Sequence, residues 1–215
     1  MSILIEAWGN YACFSRPEMH TERVSYDVIT PSAARGLIES IMWHPGMNWV
    51  IDRIYVLSPI RFTNIRRNEV KSVISGSNVR SAMRGKKGSL AIYTPLDIQQ
   101  RASMILQDVH YVIEAHFEMT EKAAPGDNPG KFQEMTRRRL TKGQFYSQPY
   151  FGCREFPAHC REWAGKDVPT QPITQDLGFM LHSMDYSDPQ NITPRFFRAR
   201  LENGVLDLTD CEVYS

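Results

Sequence analysis

Strict alternation of side-chain character marks the segment DVHYVIEAHFEMT, residues 108–120, more clearly than any other part of the chain. One set of alternate positions is apolar or aromatic: Tyr111, Ile113, Ala115, Phe117 and Met119. The other set is largely polar: His110, Val112, Glu114, His116 and Glu118. Because successive side chains of a β-strand point to opposite faces, this period of two predicts a long strand that is buried on one face.

The segments before this strand predict the first half of an α+β domain. The opening segment ILIEAWGNYACF, residues 3–14, is rich in β-formers and predicts a first strand. A helix is predicted over residues 30–45, where a capping threonine opens the first turn and a proline ends the helix. Residues 48–65 then predict two strands that are joined by a turn at a Ser-Pro pair.

The segments after the alternating strand complete the predicted fold. Residues 131–143 predict a second helix that is closed by Gly143, and residues 148–158 predict a further strand. The resulting order, β-α-β-β-α-β, is that of a ferredoxin-like (RRM-like) fold. We therefore predict a ferredoxin-like domain over residues 1–155 and a small β-rich C-terminal part over residues 156–215.

Basic residues are concentrated in two stretches, although the formal net charge of the chain is only +1. Residues 64–88 hold seven Lys and Arg and one Glu, and residues 131–142 hold five basic residues and one Glu. The first stretch lacks periodicity and is rich in Gly and Ser, which predicts a mobile basic loop. Two such patches on an otherwise acidic chain favour a polyanionic partner such as nucleic acid. Ordinary solvated faces are the simpler alternative.

Several classes of protein are excluded or disfavoured by the sequence. It contains no P-loop, G-x-G-x-x-G, G-x-S-x-G or H-E-x-x-H motif. The four cysteines form no C-x-x-C pair, so we predict no metal site and reduced thiols in a cytoplasmic protein. No apolar run approaches the roughly 18 residues that a membrane crossing needs, and no cofactor is expected.

His116 is the first candidate for catalysis, because the alternation places it on the polar face of the predicted strand, where Glu114 and Glu118 flank it. An imidazole titrates near neutral pH, which suits it to proton transfer. RNA carries its own nucleophile, the 2′-OH, so its cleavage needs only proton transfer and a cation that stabilises the phosphorane. A polar strand face that is merely exposed to solvent is the alternative, and it stays open.

Six segments together resemble a known family: WGNYACFSRPE, VSYDVITPSAARGLIESIMWHP, PIRFTNIRRNEV, YVIEAHFEMT, GKFQEMTRRRLTKGQ and GCREFPA. They are similar to the CRISPR-associated repeat-processing endoribonucleases of type I-C systems, which belong to the ferredoxin-like CRISPR RNA-binding superfamily. The resemblance implies metal-independent cutting of precursor CRISPR RNA at the base of each repeat hairpin, with a 2′,3′-cyclic phosphate product. It also implies that the protein stays on the guide RNA as a subunit of a surveillance complex.

The resemblance also implies site residues. The family's histidine matches His116. The tyrosine that some members carry at the end of the first helix falls on Met42, so His44 is the candidate to replace it. The lysine beside the histidine is absent, so Lys142, or one of the arginines 137–139, is the candidate for the cationic role. RNA phosphates are expected to contact basic residues of both helices and of the basic stretch: Arg35, Arg66, Arg67, Lys71, Lys86, Lys87, Arg137, Arg138 and Arg139.

Two other functions stay open at this point. A non-catalytic scaffold would hold the 5′ handle of a guide RNA that another enzyme cuts, and the methionine at the tyrosine position favours this function. A general nucleic-acid binder would also take duplex DNA through the same basic segments, without reading its bases.

Overall fold

The main sheet is organised around one long strand, Ile98–Met119. The computed structural model of the chain describes residues 2–19, 21–85 and 90–215. Within these ranges the helices are α1 (Pro31–Ile41), α2 (Gly76–Met83) and α3 (Pro129–Lys142). The strands are β1 (Ile3–Ala12), β2 (Arg23–Val24), β3 (Met47–Val56), β4 (Phe62–Val70), β5 (Ile98–Met119), β6 (His159–Glu162), β7 (Gln175–Asp185), β8 (Thr193–Leu201), β9 (Val205–Asp207) and β10 (Val213–Tyr214).

Strand β5 pairs with four other strands. Its first part pairs with β4 and β2, and its second part pairs with β1 and β3. The sheet has the order β6-β1-β5-β3-β9, with β2 and β4 paired to β5 beside this path. All of these pairs are antiparallel except the short β2–β5 pair. The predicted α+β class is confirmed, with a sheet that is mainly antiparallel.

The alternation predicted for the second part of β5 is confirmed by burial. Tyr111, Ile113 and Ala115 are buried, whereas Glu114 and His116 are partly exposed. Helices α1 and α3 cover the apolar face, where Phe132 of α3 meets Phe117 of β5 with their ring centroids 6.1 Å apart. We call the opposite face, which carries Glu114 and His116, the outer face.

Both predicted helices are present, and each begins with a side-chain cap. Thr30 Oγ1 accepts the backbone N–H of Ala33 at 3.1 Å, and Asn128 Oδ1 accepts that of Lys131 at 2.9 Å. Such caps satisfy N–H groups that the helix itself leaves unpaired. Helix α3 ends at Gly143, whose φ of 61° is the left-handed conformation expected at this position.

The prediction of a loop throughout the basic stretch 64–88 is wrong for much of its length. Strand β4 pairs residue by residue with the first part of β5, and Gly76–Met83 forms α2. The backbone of β4 finds its hydrogen-bond partners in β5, and this tertiary pairing overrides the irregular local pattern. Lys86, Lys87 and Gly88 lie outside the described residues. The mobility of the stretch stays a prediction.

The prediction of a strand over residues 148–158 is also wrong, because this segment forms an irregular loop with turns. Strand β6 begins only after it, at His159. The two prolines of the segment have no N–H to give to a ladder, and Gly152 has a φ of 76°. A Cβ atom on Gly152 would lie 2.0 Å from the Cys13 carbonyl oxygen, so the close approach of this loop to the end of β1 requires glycine.

Residues 156–215 contribute to two sheets. Strands β6 and β9 join the main sheet, while β7, β8 and β10 form a second, three-stranded sheet. Apolar residues of the second sheet, including Met180, Phe197 and Leu201, are buried in the same core as β1 and β5. The division of the chain at residue 155 stays a prediction. None of the helices in the described ranges has the length and apolarity that a membrane crossing requires.

We expect Gly152→Ala to lower the free energy of unfolding by about 2–5 kcal/mol, because left-handed strain is added to a clash with a backbone carbonyl. Gly143→Ala is the matched control, since that glycine is also left-handed but has open space around the position of a Cβ. It should cost only about 1 kcal/mol. Urea unfolding followed by circular dichroism measures both, and equal losses would contradict the close approach of the loop.

Candidate active site

A β-bulge in β3 places two consecutive charged residues on the outer face. Ile51 pairs with Ala115 of β5, but the next paired residue of β3 is Arg53, which lies opposite Glu114. Asp52 is therefore the extra residue of the bulge. An extra residue shifts the alternation by one position, so Asp52 and Arg53 both project to the outer face. The signal in the sequence is the step of three residues between the apolar positions Ile51 and Ile54, where the neighbouring steps are of two.

Asp52 contacts His116, the residue predicted for catalysis. His116 Nδ1 lies 2.8 Å from Asp52 Oδ1 and 2.9 Å from Oδ2. The histidine side chain is 36% exposed and the aspartate side chain is 17% exposed. Because a carboxylate only accepts hydrogen bonds, Nδ1 carries a proton, and Nε2 is left to exchange a proton with a bound molecule. A carboxylate that orients a histidine in this way is a recurrent device of general acid–base catalysis.

Glu114 lies next to His116 on the outer face, but it is engaged by other residues. Tyr55 Oη donates to Glu114 Oε2 at 2.7 Å, and Arg53 Nη1 lies 3.5 Å from the same oxygen. Burial, together with the hydrogen bond to Glu114, raises the pKa of Tyr55 to about 12. The carboxylate in contact with His116 is therefore Asp52, and not Glu114 as the sequence pattern suggested.

His44 and Lys142, the other residues predicted for catalysis, lie away from the outer face. The His44 ring packs against Phe132 of α3, with a centroid separation of 4.9 Å, and Phe132 in turn packs against Phe117. Phe117 and His116 are neighbours on β5 and face opposite ways, so these contacts place His44 on the helix-covered side. Lys142 is the exposed last residue of α3, on that same side.

The arginines of α3 differ in what they contact. Arg137 Nε donates to Glu162 Oε1 at 2.9 Å, and Arg139 Nη1 donates to the Ile41 carbonyl oxygen at 2.6 Å. These two side chains tie α3 to β6 and α1. Arg138 is exposed and forms no ion pair with any described residue, so it is the arginine of the three that remains available to a ligand.

The other predicted RNA-binding residues also include some that contact the protein itself and some that are free to contact a ligand. Arg67 of β4 forms an ion pair with Glu155 and is largely buried. Arg66 and Lys71 are exposed, and neither has an ion-pair partner in the part of the chain that the structure describes. Arg35 of α1 is half-buried, and its Nε lacks a hydrogen-bond partner among the described residues. These positions leave Arg66 and Lys71 as the accessible cations of the basic stretch.

A second cluster on the outer face was not predicted from the sequence. Glu6 of β1 is 3% exposed, and its carboxylate accepts hydrogen bonds from His110 Nε2 at 2.8 Å and from Arg161 Nη2 at 3.1 Å. Trp8 stacks on His159 with ring centroids 5.6 Å apart. The cluster joins β1, β5 and β6, which are distant in the sequence, so no local motif reveals it. The one signal in the sequence is the presence of a glutamate within the largely apolar first strand.

Burial by itself raises the pKa of the Glu6 carboxyl, but the hydrogen bonds from Arg161 and His110 outweigh it and hold the pKa below its ordinary value of 4.5. We expect Glu6→Gln to lower the free energy of unfolding at pH 7 by about 1–3 kcal/mol. Since the folded-state pKa is lowered, the advantage of the wild type is complete above the ordinary pKa. That advantage should be lost as the pH falls through the lower, folded-state value.

Urea unfolding of the two proteins between pH 7 and pH 3 measures this difference. Glu118→Gln is the control, because Glu118 of β5 is an exposed glutamate in the same sheet. It should leave the free energy of unfolding within about 0.5 kcal/mol of the wild type. A Glu6→Gln deficit that stays constant across this pH range would contradict the stabilisation of the ionised carboxylate.

Comparison with protein families gives one match over nearly the whole chain. The family model Cas_Cas5d, described as CRISPR-associated protein (Cas_Cas5), matches residues 2–209. The chain is 52% identical over 214 residues to a Mannheimia succiniciproducens protein named CRISPR pre-crRNA endoribonuclease Cas5d, covering 96% of this chain and 94% of that protein. A Thermus thermophilus protein of the same name is 37% identical over 221 residues, covering 95% of this chain and 90% of that protein.

The fold is shared with a solved structure. A crystal structure of a CRISPR-associated protein superimposes with a TM-score of 0.70 and 21% sequence identity, covering 100% of this chain and 97% of that one. At this identity the match concerns the fold alone, and it agrees with the α+β class.

Proposed function

Because the chain belongs to the Cas5d family of CRISPR-associated proteins, we propose that it is an endoribonuclease that cuts precursor CRISPR RNA within its repeats. Two relatives that match almost end to end carry the name CRISPR pre-crRNA endoribonuclease. The observation that carries the mechanism is the hydrogen bond between His116 and Asp52 on the outer face, with His116 Nε2 left free. We propose that the cut requires no metal and leaves a 2′,3′-cyclic phosphate.

In the proposed reaction His116 takes the proton of the RNA 2′-OH as a general base. The 2′-oxygen bonds to phosphorus, the P–O5′ bond breaks, and the 5′-oxygen leaves with a proton from a second group. Asp52 accepts the hydrogen bond of Nδ1–H and fixes the orientation of the imidazole, so it acts as a positioning residue. For the second group we propose Tyr55, which was not among the candidates from the sequence, in place of His44 and Lys142, because its hydroxyl reaches Glu114 on the same face as His116.

We also propose that the core of the chain is a ferredoxin-like domain. In support of this, the first, second, third and fourth strands of such a unit correspond to β1, β3, β5 and β6. The observed antiparallel order β6-β1-β5-β3 is then 4-1-3-2. Helices α1 and α3 take the two helical positions of the β-α-β-β-α-β order.

We propose that the RNA is held mainly through its phosphates, and that the protein remains on the guide RNA in a type I-C surveillance complex. This proposal is supported by exposed cations that have no ion-pair partner in the described residues. They lie on two elements: Arg66 and Lys71 on or next to β4, and Arg138 and Lys142 on α3. A-form RNA hides its major-groove edges, so contacts to the backbone and to shape suit a hairpin.

A non-catalytic scaffold is the second candidate function. It is favoured by Met42, the position of the family tyrosine, whose side chain is buried in the core and has no group that transfers protons. It is also favoured by the placement of His44 on the side of the sheet opposite His116. The scaffold would bind the same RNA with the same cations and leave the cutting to a partner.

A cleavage assay with the cognate repeat RNA in excess EDTA separates the two functions. We expect the wild type to make one cut with a cyclic phosphate end. His116→Ala should slow the cut by about 10²–10⁴-fold, and Asp52→Asn by at least roughly tenfold, with RNA affinity unchanged in both. Glu118→Ala, on the same strand face, is the control and should cut normally. Tight binding without cutting by the wild type would establish the scaffold, and a His116→Ala variant that cuts normally would move the site elsewhere.

We expect the double substitution Arg138→Ala and Lys142→Ala to weaken RNA binding and to reduce its salt dependence. Two lost phosphate contacts should lower the slope of log K against log salt by about 1.4–1.8. The slope is measured by fluorescence anisotropy of labelled RNA at salt concentrations from about 50 to about 200 mM. Arg137→Ala removes a cation that is paired with Glu162, and it should change the slope less. An unaltered slope in the double variant would show that RNA does not contact α3.

A further inference from the structure

The proposed reaction leaves unused a pair of cysteines that are distant in sequence. Cys13 follows the end of β1, and Cys153 lies in the loop that precedes β6. The backbone N–H of Cys13 donates to the Phe151 carbonyl oxygen at 3.1 Å. The Cys153 thiol lies 3.8 Å from the Cys13 carbonyl oxygen. The left-handed turn at Gly152 allows this approach, since any Cβ there would collide with Cys13.

The Cys153 sulfur lies in a cationic environment. Arg23 Nη1 donates to Cys153 Sγ at 3.6 Å, and the charge of Arg67 acts on the same sulfur. A hydrogen bond from the Cys13 thiol, together with these charges, lowers the pKa of Cys153 to about 6. The same interaction and burial raise the pKa of Cys13. Cys153 is therefore the more acidic thiol of the pair.

A cleft borders the loop that carries Cys153. A cleft of about 290 Å³ opens between the start of α1 and the loop before β6, and its walls include Cys13, Ser15, Tyr150 and Gly152. Cys13 itself is buried, while Cys153 is half-buried. A reactive cysteine needs thiolate character and access, and a neighbouring thiol allows its oxidised form to resolve into a disulfide.

We propose that Cys153 is an oxidation site of this chain, at which hydrogen peroxide generates an intramolecular disulfide with Cys13. The Cys153 thiolate attacks peroxide to give a sulfenic acid, and the second peroxide oxygen leaves as water after protonation. The Cys13 sulfur then displaces water from the sulfenic acid and forms the S–S bond. In total, two thiols lose two protons and two electrons, and one peroxide is reduced to two waters.

The bond would change the surface next to the basic stretch. The sulfur that now accepts a hydrogen bond from Arg23 would become part of a disulfide, and the loop before β6 would be tied covalently to the end of β1. Arg23 also lies 3.7 Å from Glu69 of β4, and Arg67 of β4 pairs with Glu155 of the same loop. Oxidation would therefore alter contacts of β4, the strand that also carries Arg66, one of the cations proposed to hold RNA.

The chain supplies its own controls in Cys160 and Cys211. Burial raises the pKa of Cys160 to about 12, and burial also raises the pKa of Cys211. Neither side chain has an arginine donor to its sulfur among the described contacts. Both should remain thiols under conditions that modify Cys153.

The test is peptide mapping by mass spectrometry of the full-length, initially reduced protein at pH 7. Iodoacetamide should label Cys153 at least tenfold faster than Cys160 or Cys211. Peroxide should give a loss of about 2 Da and one cross-linked peptide that joins Cys13 to Cys153. A Cys160→Ser, Cys211→Ser double variant should still form it, Cys153→Ser should not, and Arg23→Gln should slow the labelling of Cys153.

Two results would overturn the proposal. One is labelling of Cys153 at the rate of Cys211. The other is peroxide treatment that leaves Cys13 free while Cys153 is oxidised further. The mapping of the wild-type protein decides both even where a substituted variant fails to fold. None of these measurements involves RNA, so their outcome is independent of the proposed nuclease function.

Discussion

The ladder of backbone hydrogen bonds along β5 is the constraint on which the rest of the structure depends. This strand pairs with β1, β2, β3 and β4, and it brings together four separate segments that precede it in the chain. Because the side-chain period of a strand is two, its register decides which residues face the helices. A slip of one residue would expose Phe117 and bury His116. The proposed chemistry therefore depends on the packing of the apolar face.

The bulge in β3 places two adjacent charged residues on one face of the sheet, which regular pairing cannot do. One extra residue places Asp52 and Arg53 on the same face, where one contacts His116 and the other contacts Glu114. A strand without the bulge would turn one of the two toward the helices, and a buried charge without a partner is strongly disfavoured. The bulge thus lets two adjacent charged residues each meet a partner on β5.

The proposed catalytic residues and most of the proposed phosphate-binding residues lie on different elements. On the outer face Glu6, Asp52 and Glu114 each meet a histidine or an arginine, as in the Glu6–Arg161 and Asp52–His116 pairs. Cations without such partners in the described residues lie elsewhere, on β4 and α3. Helix α3 contacts β6 through the Arg137–Glu162 pair, so an RNA that reaches both α3 and the outer face would pass around the β6 edge of the sheet.

Local sequence determined the α+β class, the two caps of the helices and the outward position of His116, because each follows from a pattern within a few residues. It did not determine β4, whose hydrogen-bond partners lie in β5, or the loop at Gly152, which is shaped by contact with Cys13. The contact of Asp52 with His116 joins two strands that are remote in the chain, so no local pattern reveals it. The Glu6 cluster came from three strands that meet only in the sheet. Side chains that are remote in the chain become neighbours through tertiary pairing, and only the folded structure decides which of them touch.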